Sequence, residues 1–128
     1  LTARPGSSAY VRGGVIAYAD DVKTALLGVD PAIIRAHGAV SAECAAAMAA
    51  GARERLGSDW ALSVTGVAGP GGGTDDKPVG TVHVGLAGPV GARHVALGRG
   101  GSREAIRSRS VAAALHLLRR ALEEPPAV

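Results

Sequence analysis

The most informative part of the sequence for the fold is residues 60–97, WALSVTGVAGPGGGTDDKPVGTVHVGLAGPVGARHVAL. Runs of apolar and β-branched residues within it predict three strands, at 60–65, 79–87 and 92–97. The short connection Gly88-Pro89-Val90-Gly91 predicts that the last two strands pair as an antiparallel hairpin. The first strand runs directly into a glycine-rich turn, Gly66–Thr74.

Helices are predicted before and after these strands, each by a polar residue that can cap the first turn. The predicted helices begin at Asp20 or Asp21 and end at Leu27, run from Asp30 to Gly38 and from Ser41 to Gly57, and begin again at Ser102. A polar tail is predicted at 123–126. Helices that come before, between and after the strands favour an α/β fold, in which a small sheet is covered by helices.

The N-terminal part of the chain gives two further predictions. Residues Tyr10–Tyr18 are interpreted as another strand, with a bulge or close backbone approach at Gly13-Gly14. Leu1–Arg4, which stops at Pro5, is interpreted as the last turn of a helix whose start precedes Leu1. The predicted architecture is therefore a single-domain α/β/α layered sandwich, with a small mixed sheet that contains an antiparallel hairpin.

Length and composition limit the class of protein. A chain of 128 residues corresponds to one domain, here 1–128, and 47% hydrophobic residues are typical of a globular fold. The single Cys44 excludes an internal disulfide and favours a reducing, cytoplasmic compartment. No apolar run approaches the roughly 20 residues of a membrane span, so we expect no membrane partner.

The charged residues argue against nucleic-acid binding. The chain carries 12 Arg but only two Lys, and its formal net charge is +3. Only three aromatic residues are available for stacking on bases, at 10, 18 and 60, and no basic run exceeds two residues. We expect no nucleic-acid partner, and the arginine content is typical of a GC-rich genome.

The glycine-rich turn is a candidate anion site. Five of the eight residues from Gly66 to Gly73 are glycine, so backbone N–H groups can approach an anion without a Cβ in the way. The spacing fits neither a P-loop, because Lys77 follows Asp76 and no Ser or Thr comes after it, nor a dinucleotide fingerprint. The alternative is a surface connection without a site.

Two further groups of residues could serve chemistry. Tyr18 at a strand end and Lys23 one helical turn later could face one pocket, and a lysine can act as a base where an arginine cannot; the alternative is an exposed lysine. Arg103 and Arg107 lie at a helix N-terminus that could bind a phosphate or carboxylate, or pair with Glu104 on the surface. The four histidines show no metal-ligand spacing, although His83 and His94 could meet, so we predict no metal.

Taken together, these segments resemble the C-terminal domain of the competence/damage-inducible CinA proteins, the nicotinamide-nucleotide deamidase family. The resemblance spans nearly the whole chain in order, and its most specific parts are TGVAGPGG at 65–72 and KPVGTV at 77–82. Further matching segments are PGSS at 5–8, GGVIAY at 13–18, Lys23, LLGV at 26–29, HGAVS at 37–41 and Arg103 with Ile106-Arg107.

The resemblance implies an amidohydrolase without a cofactor, which converts nicotinamide mononucleotide to nicotinate mononucleotide and ammonia in pyridine-nucleotide salvage. It implies a serine nucleophile in an S-x-T-G-G stretch, with Lys23 as the general base and Tyr18 beside it. Thr65, Arg103 and the glycine turn are implied to bind substrate; the turn residues concerned are Gly66, Gly69, Gly71 and Gly72. The resemblance also implies a homodimer.

The chain departs from the family pattern in three places. The S-x-T-G-G stretch is absent from these 128 residues, and we expect it to precede Leu1. Ala19-Asp20 stands where Ser/Thr-Asn is common, and Ser102 stands where Asp is common. Two other functions stay open: a non-catalytic nucleotide-binding module, which would lack the serine, and a DNA-associated competence or damage protein.

Overall fold

Three helices precede a block of three strands, and a long helix follows it, in the order that the caps and turns predict. The computed structural model describes residues 1–124. Its elements are a 3-10 turn at Ser7–Ala9, α1 at Asp20–Leu27, α2 at Pro31–His37, α3 at Ala42–Leu56, β1 at Ala61–Gly66, β2 at Thr81–Gly88, β3 at Gly91–Gly98 and α4 at Arg103–Glu123. The predicted tail at 123–126 lies partly outside the described residues. Over residues 1–124, no helix is both long and apolar enough to cross a membrane.

The sheet has three antiparallel strands in the order β1-β2-β3. Val84, at the centre of β2, pairs with Val64 of β1 and with Val95 of β3. Gly88 pairs with Gly91 at the end of the β2–β3 hairpin, which confirms the predicted hairpin. The strand β1 forms one edge of the sheet.

The predicted strand at Tyr10–Tyr18 is wrong. Most of this segment has no regular secondary structure, and the side chains of Ile16 and Tyr18 are 91% and 85% exposed. Its residues have strand propensity, but a strand is stabilised by a hydrogen-bonded neighbour, and the paired strands among residues 1–124 are β1, β2 and β3. The sheet of this part of the chain is therefore antiparallel throughout and not mixed.

Leu1–Arg4 does not form a helical turn either, so that interpretation is also wrong. A residue before proline is disfavoured in the α region, and Arg4 precedes Pro5. The chain instead makes a bend in which the Ser7 N–H donates to the Arg4 carbonyl at 3.3 Å.

Helices cover both faces of the sheet, so the α/β class and the α/β/α layering are confirmed. On one face, Val82, Val84 and Leu86 of β2 pack against α4 through a buried cluster that includes Ile106, Ala114 and Leu117. The intervening residue Gly85 points to the opposite face, because successive strand residues alternate. There a Cβ would come within 2.5 Å of the Ala45 carbonyl oxygen of α3.

Local signals placed most helix ends correctly. The side chains of Asp30, Ser41 and Ser102 each accept a hydrogen bond from a backbone N–H in the first turn of α2, α3 and α4. At α1 the N-cap is Ala19, which has no capping side chain. Asp20 and Asp21 lie in its first turn instead, where the helix dipole favours their negative charge.

Helix α1 packs on α3 at a point where only glycine fits. Gly51 of α3 faces the end of α1, and a Cβ there would overlap the carbonyl group of Leu27. Beside this contact lies a second buried cluster formed by Leu27, Val29, Cys44 and Met48. The close approach of the two helices fixes α1, and therefore Lys23, relative to the sheet.

We predict that Gly51→Ala destabilises the protein, although alanine is the better helix former. The added methyl group must push α1 away from α3, and overpacking of this kind costs about 1–3 kcal/mol. Thermal unfolding followed by circular dichroism would show a lower Tm. The matched control is Gly14→Ala, where nothing lies within 4 Å of the added atom. A Gly51→Ala protein as stable as the wild type would contradict the close approach.

Candidate functional site

Lys23 is buried inside the fold. It lies one turn into α1, and the residue is only 6% exposed. Its Nζ donates to the Tyr18 carbonyl oxygen at 3.2 Å and lies 3.6 Å from Asp20 Oδ1. Lysine is almost never this buried unless it is paired, so the alternative of an exposed surface lysine is excluded.

Tyr18 takes part in this arrangement through its backbone. Its carbonyl oxygen holds the Lys23 ammonium, while its side chain is exposed to solvent. Among residues 1–124, no hydrogen bond joins the Tyr18 phenol to another residue. The structure therefore brings Tyr18 and Lys23 together at the backbone and leaves the phenol free to meet a ligand.

The glycine loop, residues 66–76, is folded back on the hairpin. The backbones of Val67 and Gly80 continue the ladder between β1 and β2, with Gly80 N–H donating to Val67 O at 2.8 Å. Gly69 and Gly73 pack against Val79, where Cβ atoms would lie 2.5 and 2.9 Å from atoms of that residue. These contacts anchor the loop through its sides.

The tip of the loop, at Gly71 and Gly72, faces solvent. A Cβ at Gly71 would meet nothing within 4 Å, and at Gly72 it would approach only a Val67 methyl group at 3.8 Å. Gly72 has φ 85°, a left-handed conformation that glycine adopts without strain. The loop thus exposes its backbone at the tip, while Gly69 and Gly73 pack against Val79.

Both ends of the glycine loop are tied to the turn between α2 and α3. At the N-terminal end, Thr65 Oγ1 donates to the Ala39 carbonyl at 2.8 Å. At the C-terminal end, Lys77 Nζ donates to the His37 carbonyl at 2.5 Å. Within the turn, Ser41 Oγ donates to the Gly38 carbonyl at 2.8 Å. These three bonds fix the α2–α3 turn, residues 37–41, beside the loop.

Arg103 holds the loop from the other side of the sheet. It is the first residue of α4, and its Nη1 donates to the Gly69 carbonyl at 2.9 Å. Arg107, one turn later, lines a groove of about 440 Å³ between α4 and the edge strand β1. The other groove-lining residues include Val64, Gly66, Ile106 and Val111.

The buried thiol of Cys44 lies near both lysines. Burial raises the pKa of Cys44, and the positive charges of Lys23 and Lys77 oppose this shift. Over residues 1–124, no hydrogen bond or ion pair joins Lys23 to the glycine loop. The charges of both lysines act on this thiol, which lies at the N-terminal end of α3.

The sequence places Lys77 in the KPVGTV segment and outside a P-loop pattern, but does not indicate its contact with the α2–α3 turn. The rarity of lysine, with two among 14 basic residues, marked Lys23 and applies equally to Lys77. The contact that gives Lys77 its place is with His37, 40 residues away. No local pattern contains that contact.

His83 and His94 meet across β2 and β3, as the sequence allowed. Their rings stack with centroids 5.1 Å apart, and His83 Nδ1 lies 2.9 Å from His94 Nε2. Burial lowers the pKa of His83, and the positive charge of His94 lowers it further. Over the described part of the chain, no three His, Cys, Asp or Glu side chains come together as a candidate metal site.

We predict that His83 titrates below the ordinary histidine pKa of about 6.5. Because the folded-state pKa is lower than the unfolded one, the neutral imidazole stabilises the fold above pH 6.5 and this contribution is lost as the pH falls. An NMR titration of the ring protons measures the pKa directly. In a His94→Ala variant the pKa of His83 should rise, and an unchanged value would contradict the pairing.

Comparison with known proteins assigns the chain to a family. The family model of the CinA C-terminal domain matches residues 1–122 of this sequence. The chain belongs to this family. The CinA domain described here is 57% identical over 129 residues to a CinA-like protein of Mycolicibacterium paratuberculosis, covering 97% of this chain. It is 58% identical over 126 residues to a CinA-like protein of Synechocystis, covering 96% of this chain.

Solved structures show the same fold. A competence damage-inducible protein A from Klebsiella pneumoniae matches with a TM-score of 0.89 at 31% identity, over 94% of this CinA domain and 74% of that chain. A competence/damage inducible protein from Agrobacterium tumefaciens matches with a TM-score of 0.78 at 41% identity, and the match covers 84% of this CinA domain and 66% of that chain. The chain spans about 30% of the length of the curated relatives.

Proposed function

We propose that this CinA domain hydrolyses the carboxamide of nicotinamide mononucleotide, releasing nicotinate mononucleotide and ammonia. The observation that carries the proposal is the burial of Lys23, whose amine is withdrawn from solvent, donates to one backbone carbonyl at 3.2 Å and lies 3.6 Å from Asp20 Oδ1. Burying an amine is costly, so a buried lysine is a candidate for chemistry.

Lys23 would act as the general base. A neutral amine at Nζ can accept the proton of a serine hydroxyl as the oxygen attacks the amide carbon. It can then return the proton to the departing nitrogen, which leaves as ammonia. Water hydrolyses the resulting ester and regenerates the serine. We propose that this serine lies in the stretch before Leu1, as the family resemblance implies.

The glycine loop and Arg103 would hold the substrate. Bare backbone at Gly71 and Gly72 allows N–H groups to approach an anionic group, and the Arg103 guanidinium adds positive charge beside Gly69. Holding the nucleotide at its phosphate keeps the amide close to the attacking serine, which supplies part of the rate enhancement. Thr65 contributes by fixing the start of the loop.

The proposal also covers the cellular compartment and the oligomeric state of the protein. A free cysteine suits the reducing cytoplasm, and the resemblance implies a homodimer. Cell fractionation and light scattering of the full-length protein test these two points.

Replacing Lys23 should abolish ammonia release from nicotinamide mononucleotide by the full-length protein. Lys23→Met keeps the length and apolar stem of the side chain but removes the amine, and loss of a general base costs about 10²- to 10⁴-fold in rate. Lys23→Arg should be equally inactive, because a guanidinium cannot give up its proton at neutral pH. Ammonia is measured in a coupled assay, and nucleotide binding by calorimetry.

The matched control is Asp21→Ala, an exposed position on the same helix, which should keep wild-type activity. Both Lys23 variants should still bind the nucleotide, which separates loss of chemistry from loss of folding. Full activity in Lys23→Met would refute the proposed base. A wild-type protein that binds the nucleotide without releasing ammonia would instead be a non-catalytic binding module.

A further inference from the structure

Two cations flank the glycine loop without a carboxylate partner. Among residues 1–124, the ion pairs within 4.0 Å involve other basic side chains, namely Lys23, His37, Arg93, Arg119 and Arg120. Arg103 and Lys77 bond only to backbone carbonyls, of Gly69 and His37. A carbonyl fixes the position of a cation but does not neutralise its charge.

Lys77 retains donors for a ligand. Its ammonium carries three N–H groups, and its one hydrogen bond, to His37 O, uses a single donor. Asp75 and Asp76 precede it directly, yet neither carboxylate comes within 4 Å of its nitrogen, because the side chain turns toward the α2–α3 turn. The positive charge is therefore fixed at the loop and remains available.

The α2–α3 turn is shaped to receive this ammonium. Gly38 has φ 80°, and a Cβ at that position would lie 2.6 Å from Lys77 Nζ. Any larger residue there would displace the lysine from the His37 carbonyl. The site for the ammonium is thus built by two segments that are far apart in the sequence, the turn at 37–41 and the end of the glycine loop.

We propose that the Lys77 ammonium binds the phosphate of the nucleotide substrate, as a second cation at the loop in addition to Arg103. The inference rests on the proposed function in taking a nucleotide as the ligand, and it adds a second residue that distinguishes nucleotide from nucleoside. A fixed cation on the residue that follows the glycine loop can provide charge-assisted hydrogen bonds to a phosphate, which an uncharged ribose hydroxyl does not replace.

The test compares binding of nicotinamide mononucleotide and nicotinamide riboside, which differ by the phosphate, using calorimetry on the full-length protein. The wild type should prefer the phosphorylated ligand. In Lys77→Met this preference should fall about 10- to 100-fold, which is the range for loss of a hydrogen bond to a charged group. Affinity for the riboside should stay unchanged, and Lys77→Arg should keep most of the preference.

The matched control is Arg53→Met, which removes another cation that bonds to a backbone carbonyl, of Asp59, away from the loop. It should leave the affinities for both ligands unchanged. Inorganic phosphate serves as a competitor: it should weaken mononucleotide binding in the wild type, and should do so less in Lys77→Met. A Lys77→Met protein that loses affinity equally for both ligands would show that Lys77 only positions the turn, and would overturn the proposal.

These outcomes separate the inference from the proposed function. Phosphate preference that depends on Lys77 without ammonia release would support the inference and refute the deamidase activity. Ammonia release together with a phosphate preference that Lys77→Met does not change would support the deamidase activity and refute the inference about Lys77. A wild type that binds mononucleotide and riboside equally would overturn the phosphate site.

Discussion

Helix α3 lies directly on the backbone of the sheet, and the positions of the other parts of the molecule follow from this contact. Gly85 of β2 has no side chain to separate the layers, and on the neighbouring strand Ser63 Oγ donates to the Ala45 carbonyl of α3 at 2.5 Å. Helix and sheet therefore meet backbone to backbone. A core built from alanine, valine and leucine, with no phenylalanine, suits such thin layers.

The candidate site is assembled around this one helix. The turn before α3 holds both ends of the glycine loop through Thr65 and Lys77. The middle of α3, at Gly51, fixes the end of α1 and with it the buried Lys23. A shift of α3 on the sheet would move the loop and the lysine together, so packing and chemistry are not independent in this domain.

The parts of the fold that depend on neighbouring residues were predictable from the sequence. The caps at Asp30, Ser41 and Ser102 and the β2–β3 hairpin are local features, and the structure contains them. The segment Tyr10–Tyr18 shows the limit, because strand propensity does not reveal whether a pairing partner is available.

The candidate site was predictable in its components and not in its arrangement. Lys23 stands out as a rare lysine, and the glycines of the loop stand out by their density. The sequence did not indicate that Tyr18 contributes its carbonyl, or that Lys77 reaches a carbonyl 40 residues away. Both contacts are made to backbone carbonyls, which every residue carries. Residue type alone therefore does not predict them.

The buried thiol of Cys44 has a consequence for how the domain can be observed. It is fully enclosed beside Leu27, Val29 and Met48, and burial keeps it in the protonated, unreactive form. An alkylating reagent can reach it only when the packing of this cluster on α3 opens. The labelling rate of this one sulfur atom therefore reports the opening of the interface that holds the buried amine, without any engineered probe.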